Sequence, residues 1–440
     1  MDVARRRVGR PQSVASTNGM AQRKHRPDYQ LVLYMGLLML FGLVLMYAIG
    51  PQRANVLNQV HGTTFYTETY FVLKQAVSLL LAITAFTLAS KVPFAVLKKH
   101  AILLLQIGLA LSGLLFLAGN VLHIDAIATN TLGAYRWFNL GPLGGFQPAE
   151  VLKFAMLLYM ATFLGKRVQE GRVNDLEKTI YPLLALSALL LGIVVVLQKD
   201  MGTGITIAAI IASMMIMSGM NWKLLGKIAV IAIVIGAMLI VFVPHRRERL
   251  VTFLRGDSAA DVSHAAADDA NYHIKNAMIA LGTGGLTGLG IGNSIQATGY
   301  LPEAINDSVF AIIGEIFGFL GVSVVLLLFG ALLFRLLRML DHLPDISMKL
   351  AAAGIFGWLA AHVILNIASM IGLIPLTGIT LPLLSFGGTS MVFIAGGLGL
   401  VYQLSCYTSH TVHLTKELGN ESSRSRRGIG GSRYSRRRRH

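Results

Sequence analysis

Apolar runs of about 16–26 residues, almost empty of charge, recur along this chain, and the short segments between them carry most of its ionisable side chains. A helix crossing a bilayer needs about 20 such residues to cover a hydrocarbon core about 30 Å thick. Lipid offers no hydrogen-bond partners, so only helices and closed barrels satisfy their backbone inside it. The runs predict ten spans: Leu31–Ile49, Phe71–Ala89, Ala101–Leu122, Phe146–Leu164, Ile180–Leu197, Gly204–Gly219, Ile228–Val243, Val309–Phe334, Leu350–Ile371 and Ser390–Tyr407. Only 13% of the residues are charged, against about a quarter in soluble domains. The expected fold is therefore an all-α integral membrane protein of about ten transmembrane helices.

Charge sets the expected orientation, because cytoplasmic loops are enriched in Lys and Arg. With the N-terminus inside, the cytoplasmic segments hold 28 of the 38 Lys and Arg residues, and the bias repeats loop by loop. An even number of spans returns the C-terminus to the cytoplasm. The first run, Leu31–Ile49, lacks a small-residue cleavage site and is read as a retained span. The chain thus divides into a basic cytoplasmic extension (1–30), a membrane domain (31–407) and a basic cytoplasmic tail (408–440), with no soluble domain or internal repeat. The formal net charge of +17 does not point to nucleic acid, since the charge sits at span ends and tails and no reader fold accompanies it. The low-complexity end of the tail, residues 422–440, suits anionic lipid headgroups or a cytoplasmic partner. A single cysteine, Cys406, can form no internal disulfide.

Two regions depart from the short-loop pattern. A long extracytoplasmic loop, 244–306, separates the seventh and eighth spans, and within it 271–281 reads as an amphipathic helix on the membrane surface. The second, 371–389, contains Pro375, Pro382, Gly387 and Gly388. Its backbone cannot face lipid, so it is read as re-entrant or lining a cavity.

Ionisable groups at membrane depth are costly, which makes each a functional candidate. Glu150, Asp200 and Asp307 fall at predicted outer ends of spans, with Arg136, Lys153 and Lys199 on the same side; Glu315 lies deeper. Glu150 and Lys153 share a helix face at i,i+3, which allows an ion pair; alternatively Lys153 and Arg136 face an anionic ligand such as a diphosphate. Asp200 can cap the sixth span or hold a cation or a sugar hydroxyl. Asp307 can cap the eighth span or act as a carboxylate at the lipid–water boundary, and Glu315 is a packing partner or a member of a polar network. The glycines of 288–318 fail the dinucleotide spacing and instead allow the backbone to approach a ligand or the membrane closely. Residues 378–390 offer hydroxyls and backbone N–H groups suited to a polar head group. No metal-ligand spacing or nucleophile–base triad is present.

Taken together, GAYRWFNLG with FQPAEVLKF, QKDMGTG, GLGIGNSIQATGYLPEAINDSVFAIIGE and TGITLPLLSFGGTSM resemble the SEDS (shape, elongation, division and sporulation) glycosyltransferases over about residues 31–407. The wording of the third segment, the N-terminal extension and the basic tail are more similar to the division-type branch than to the elongation-type branch. The resemblance implies a peptidoglycan glycosyltransferase that polymerises lipid II on the outer face of the cytoplasmic (inner) membrane. It also implies a class B penicillin-binding protein as transpeptidase partner and other division proteins as further partners. It places the family's essential acid on Asp307. Arg136, Lys153, Gln198 and Asp200 match other polar positions of the family, and together with Glu150, Glu303, Ser385, Gly387 and Gly388 they are the expected substrate-binding residues. Where the family usually has His-Thr-Asp-Phe, this chain has Ile305-Asn306-Asp307-Ser308, and Lys199 and Met201 replace its usual Pro and Leu. No role for the missing His carries over.

An α-linked diphosphate donor and a β-linked polymer, as the resemblance implies, need one inverting displacement and one general base. Asp307 is the expected base, with Arg136 and Lys153, and a divalent cation (magnesium or manganese) as the cofactor to consider, balancing charge on the departing diphosphate. Two other readings stay open: a lipid II flippase, which also suits broken helices and buried charge, and a noncatalytic division scaffold working through its tails.

Overall fold

Every predicted span forms a helix, and the ends move for identifiable reasons. A computed structural model describes residues 26–407 apart from 132, 142–143, 243–246, 248–249, 252 and 254–264. The basic extension up to residue 25, the tail 408–440 and part of the outer loop lie outside the described residues. In chain order the helices are α1 (Tyr29–His61), α2 (Tyr70–Lys91), α3 (Phe94–Lys99), α4 (Ala101–Phe116) and α5 (Pro148–Gln169). Next come α6 (Tyr181–Leu191), α7 (Met201–Met217), α8 (Trp222–Phe242), α9 (Ala265–Thr283), α10 (Val309–Leu340), α11 (Ile346–Met370) and α12 (Thr389–Ser405). Among the described residues eight helices, counting the π-helical turns that extend α4 and α6, are long and apolar enough to cross a membrane; α7 and α12 are shorter apolar helices.

Capping explains several boundaries. Asp28, Asp200 and Asp345 each accept a backbone N–H in the first turn of α1, α7 and α11, and Pro148 stands where a missing N–H costs nothing. Helix α1 continues twelve residues past the expected end at Ile49, through Pro51, and stops at Gly62 with φ 60°. A proline removes one backbone donor, but a helix packed on neighbours survives that loss. Asn58 then ties the following turn, donating to the Tyr66 carbonyl and accepting its N–H.

A small antiparallel sheet was not expected. Strands β1 (Ala128–Thr131), β2 (Ala134–Asn139) and β3 (Gly145–Phe146) pair in the order β1-β2-β3 between α4 and α5. Tyr135 of β2 seats on the π-turn at the end of α4, where a Cβ on Gly119 would lie 2.4 Å from its ring. The strands are short and carry no alternation, so nothing in their sequence announced them.

The core lies along α5 and α11. Both helices bury most of their length, against α4, α7 and each other, whereas α8 buries no residue at all. Helix α9 contains the expected 271–281 segment and packs on α10 and α11 through the buried stripe His273, Ala277 and Ala280. Segment 371–388 is irregular and inserted into protein: Leu381, Leu383 and Leu384 are buried, and the chain passes so near α1 that a Cβ on Gly42 would lie 2.8 Å from the Leu384 carbonyl oxygen.

Helix α10 is broken at Gly318 (φ 64°, ψ −163°). The backbone groups freed by the break are satisfied by the glycine-rich loop before it. Leu289 and Gly290 donate to the carbonyls of Glu315 and Ile316, and Phe319 and Leu320 donate to those of Gly285 and Leu286. The approach is close enough that a Cβ on Gly284 would fall 1.8 Å from the Gly314 oxygen, and one on Gly288 2.1 Å from the Ile316 oxygen. Gly288 and Gly318 therefore serve a backbone-to-backbone junction, where a ligand or the membrane had been expected.

Candidate active site

Asp307 sits in the last turn before α10, on a loop anchored from three directions. The Phe386 N–H donates to the Ile305 carbonyl at 2.8 Å, which joins the loop to segment 371–388. Asn366 of α11 donates to the Asp307 carbonyl at 2.6 Å. Ser308, fully buried, donates its hydroxyl proton to the Pro302 carbonyl at 2.8 Å and lies 2.5 Å from His273 Nε2 of α9. A hydroxyl has one proton, so His273 must present an Nε2–H to it.

The Asp307 carboxyl is left chemically available. As a residue it is half-buried, but its Oδ1 is shielded from water and meets no donor. Burial, and next the carboxylate of Glu303, push its pKa up to about 7 despite nearby backbone and Ser308 donors. Burial also lowers the pKa of His273, opposed by Glu303, so its imidazole is neutral at physiological pH. Glu303 itself is exposed, has φ 49°, and accepts the Asn306 side-chain amide at 2.5 Å.

Lys153 is wholly buried on α5. Its Nζ lies 2.8 Å from Glu150 Oε1, 3.4 Å from His362 Nε2, and 4.8 Å from the centre of the Trp358 ring. Trp358 Nε1–H also donates to His362 Nε2, so the imidazole proton resides on Nδ1 and donates to the Thr380 carbonyl. The i,i+3 ion pair is thus formed, and the Lys153 ammonium is engaged by Glu150, His362 and Trp358 with none of its surface open.

Arg136 of β2 donates through Nε to the Gln198 carbonyl and through Nη2 to that of Lys199. Asp200 accepts the Thr203 N–H at 2.9 Å, the Thr203 hydroxyl at 2.8 Å and the Gln147 side-chain amide at 3.0 Å. It caps α7 and ties α7 to the start of α5. Gln198 is buried with both side-chain polar atoms unpaired.

The irregular segment 377–388 joins these groups. Thr380 meets His362, Ile379 accepts the second proton of the Asn366 amide at 2.7 Å, and a Cβ on Gly202 would lie 2.6 Å from the Thr377 oxygen. Ser385 is buried and accepts the Leu381 N–H, so its hydroxyl oxygen holds a turn; Gly388 is exposed and passes near the Gly145 oxygen at the end of β3, with Gly387 beside it. Glu315 is buried deeper and grips the loop, accepting the Ser294 hydroxyl and the N–H groups of Ile295 and Gln296. The polar-network alternative describes it.

Sequence reasoning missed His273, Trp358, His362 and Asn366. His362 and Asn366 stand one turn apart on an otherwise apolar span, and weighing His and Asn alongside the acids and lysines would have singled them out. As assembled, the site offers a carboxyl near its pKa at physiological pH, a second acid beside it, and cations whose positions are set by backbone carbonyls and an ion pair. That combination suits proton abstraction from a hydroxyl at a protein–lipid boundary.

Known proteins share this chain's pattern. The FtsW/RodA/SpoVE family model, described as cell cycle protein, matches residues 29–410. A probable peptidoglycan glycosyltransferase FtsW from Polynucleobacter necessarius is 30% identical over 90% of each chain. Another FtsW from Saccharophagus degradans is 31% identical over 88% of this chain and 94% of its own. Among solved structures, a chain of a peptidoglycan synthase complex, studied for the coordination of polymerization and crosslinking, superposes with a TM-score of 0.67 at 25% identity, covering 86% of this chain and 97% of that one. With a family model spanning the membrane domain and relatives aligned along nearly their whole length, the chain belongs to the FtsW/RodA/SpoVE family of cell-cycle proteins.

Proposed function

We propose that this chain is a peptidoglycan glycosyltransferase that joins lipid II units into glycan strands, with Asp307 as the general base. The observation that carries this reading is the Asp307 carboxyl: one oxygen shielded and without a donor, a pKa near 7, and a loop held from α9, α11 and segment 371–388. In the reaction Asp307 takes the proton of the acceptor sugar hydroxyl as that oxygen attacks the anomeric carbon, and the polyprenyl diphosphate leaves from the opposite face. Arg136 uses two N–H donors on carbonyls and keeps others for a phosphate. Lys153 acts one layer back, positioning Glu150 and His362. Among the described residues no three His, Cys, Asp or Glu side chains converge. A divalent cation enters this reading only as a companion of the diphosphate, and no step is routed through it.

The same reading places α7 and α12 in the membrane, for ten crossings of the cytoplasmic membrane. Both termini are then cytoplasmic and Asp307 faces outward, as the loop-by-loop charge bias supports. A class B penicillin-binding protein is the proposed partner, supported by the synthase complex that the chain resembles. Septal cell division is the proposed setting, with other division proteins and anionic lipid engaged by the basic tails.

The test is direct. Purified chain, with the class B partner, is given lipid II in detergent and products are resolved by size. Polymer is expected from the wild type and from a form lacking 408–440, and none from Asp307→Ala. Absence of polymer with a functional partner present would overturn the reading. A flippase is the second reading, favoured by the buried Glu150–Lys153–His362 group inside the bundle; lipid II translocation in liposomes that survives Asp307→Ala would support it instead.

A further inference from the structure

At the end of the bundle remote from Asp307, the ends of three helices meet around a cavity. Its volume is about 490 Å³, and its walls come from residues 26–30 before and within α1, Arg335, Arg338, Met339 and His342 at the end of α10, and Ser405 at the end of α12. Asp307 stands just before the first turn of α10 and the cavity at its last turns, so the two lie at opposite ends of this broken 32-residue helix.

The charges in this cavity are unbalanced in one direction. Arg26, Arg335 and Arg338 face a single acid, Asp28. Asp28 is already committed: it pairs with Arg335, accepts the Gln30 N–H, and donates its own N–H to Ser405 Oγ at 2.9 Å. These bonds fix Arg335 and join α1, α10 and α12. Arg26 and Arg338 are exposed and have no ion-pair partner among the described residues. Tyr29 in the cavity wall is exposed, and so are Leu33, one turn further along α1, and Phe334 and Leu337, next in sequence to Arg335 and Arg338 on α10. Two uncommitted guanidinium groups with these exposed apolar side chains match one molecule with a phosphodiester head and acyl chains.

We propose that this cavity binds the headgroup phosphate of one anionic phospholipid from the leaflet opposite the candidate active site, with Arg26 and Arg338 as its ligands and the Asp28–Arg335 pair as its floor. The chain's own tail is a poor competitor, because residues 408–440 carry nine Lys and Arg against two acids. The site is distinct from diffuse attraction of the tails to a charged surface. It takes one lipid, and it depends on two named arginines.

Native mass spectrometry of the full chain in detergent tests this, with phosphatidylglycerol added against phosphatidylcholine of the same acyl chains. One phosphatidylglycerol is expected to be retained in preference to phosphatidylcholine. The pair Arg26→Gln and Arg338→Gln is expected to weaken phosphatidylglycerol binding about tenfold, the loss of charge-assisted bonds to phosphate, and to leave phosphatidylcholine unchanged. Asp28→Asn keeps a capping side chain but frees Arg335, so it is expected to strengthen phosphatidylglycerol binding. Equal binding by wild type and the double variant would overturn the proposal. So would occupation by millimolar inorganic phosphate with the same arginine dependence and displacement of the lipid, which would make it a free-phosphate site. Lipid bound only after removal of 408–440 would identify the tail as occupant, and displacement by an acidic peptide without retention of phosphatidylglycerol would identify a protein-docking site; either result sinks it.

Discussion

Asn366, in the interior of α11, gives both protons of its side-chain amide to backbone carbonyls of two different loops, that of Asp307 at 2.6 Å and that of Ile379 at 2.7 Å. One side chain thereby holds the candidate base against the irregular segment that faces it. The amide is buried, so neither carbonyl has water as a substitute partner.

Replacing Asn366 by Leu should therefore leave two buried carbonyls unpaired, at about 1–3 kcal/mol each. The expected result is a lower thermal unfolding midpoint in detergent together with a sharp fall in polymer yield. Asn366→Gln, which retains the amide but not its reach, should fall between. Full activity in the Leu variant would show that the Asp307 loop does not need this tether.

Activity should rise with pH through about 7, because Asp307 works as a base only when ionised and its pKa is held near that value by burial and by Glu303. Glu303→Gln removes a neighbouring negative charge, so the Asp307 pKa should drop and the rising limb should move to lower pH. Initial rates of lipid II polymerisation across pH 5–9 check this. A limb that stays in place would mean that Glu303 does not act on Asp307 electrostatically.

Stability should move in the opposite sense. A carboxyl whose pKa is raised on folding from 3.8 to about 7 favours the folded state fully below the unfolded value, and that advantage is lost as pH rises through the folded value. Asp307→Asn never ionises. It should therefore gain unfolding midpoint relative to wild type, with a larger gain at pH 8 than at pH 4.5, while polymer formation is lost at both. A gain independent of pH would contradict the assigned cause.

Lys153 and Glu150 form a buried pair at 2.8 Å with almost no exposure on either side. Removing one partner strands a charge, at about 3–5 kcal/mol, whereas replacing both often restores stability. Lys153→Met should thus be strongly destabilised, and the double variant Glu150→Gln with Lys153→Met much less so. Measured on the stable double variant, polymerisation separates positioning from packing: retained activity would assign the pair to structure alone.

At the break in α10, space decides the outcome of a glycine substitution. Gly288 and Gly292 both have positive φ, 83° and 89°, but a Cβ meets the Ile316 oxygen at 2.1 Å in the first case and nothing within 4 Å in the second. Gly292→Ala should lose about 1 kcal/mol from backbone strain. Gly288→Ala should lose markedly more, because it separates the loop from α10. Comparable midpoints for the two variants would mean that the junction is looser than the geometry requires.

The presence of the apolar helices is a local property, and hydropathy was enough to read it, whereas ends such as that of α1 depend on packing. A residue's transfer free energy does not depend on its distant neighbours, so ten apolar stretches announce themselves one at a time. Asp200 as a cap and Glu150 with Lys153 as an i,i+3 pair were legible for the same reason: both partners lie within one helical turn. Tertiary structure alone decided which polar groups meet. His362 and Lys153 are 209 positions apart, Asn366 and Asp307 are 59 apart, and His273 and Ser308 are 35 apart, so no sequence window contains either end's reason for being polar. Gly288 and Gly318 gave the clearest difference. From the sequence they signalled a close approach to something, and the packing showed that the something is the opened backbone of α10, because a broken helix inside protein must find carbonyl and amide partners and only a chain without side chains comes near enough to supply them.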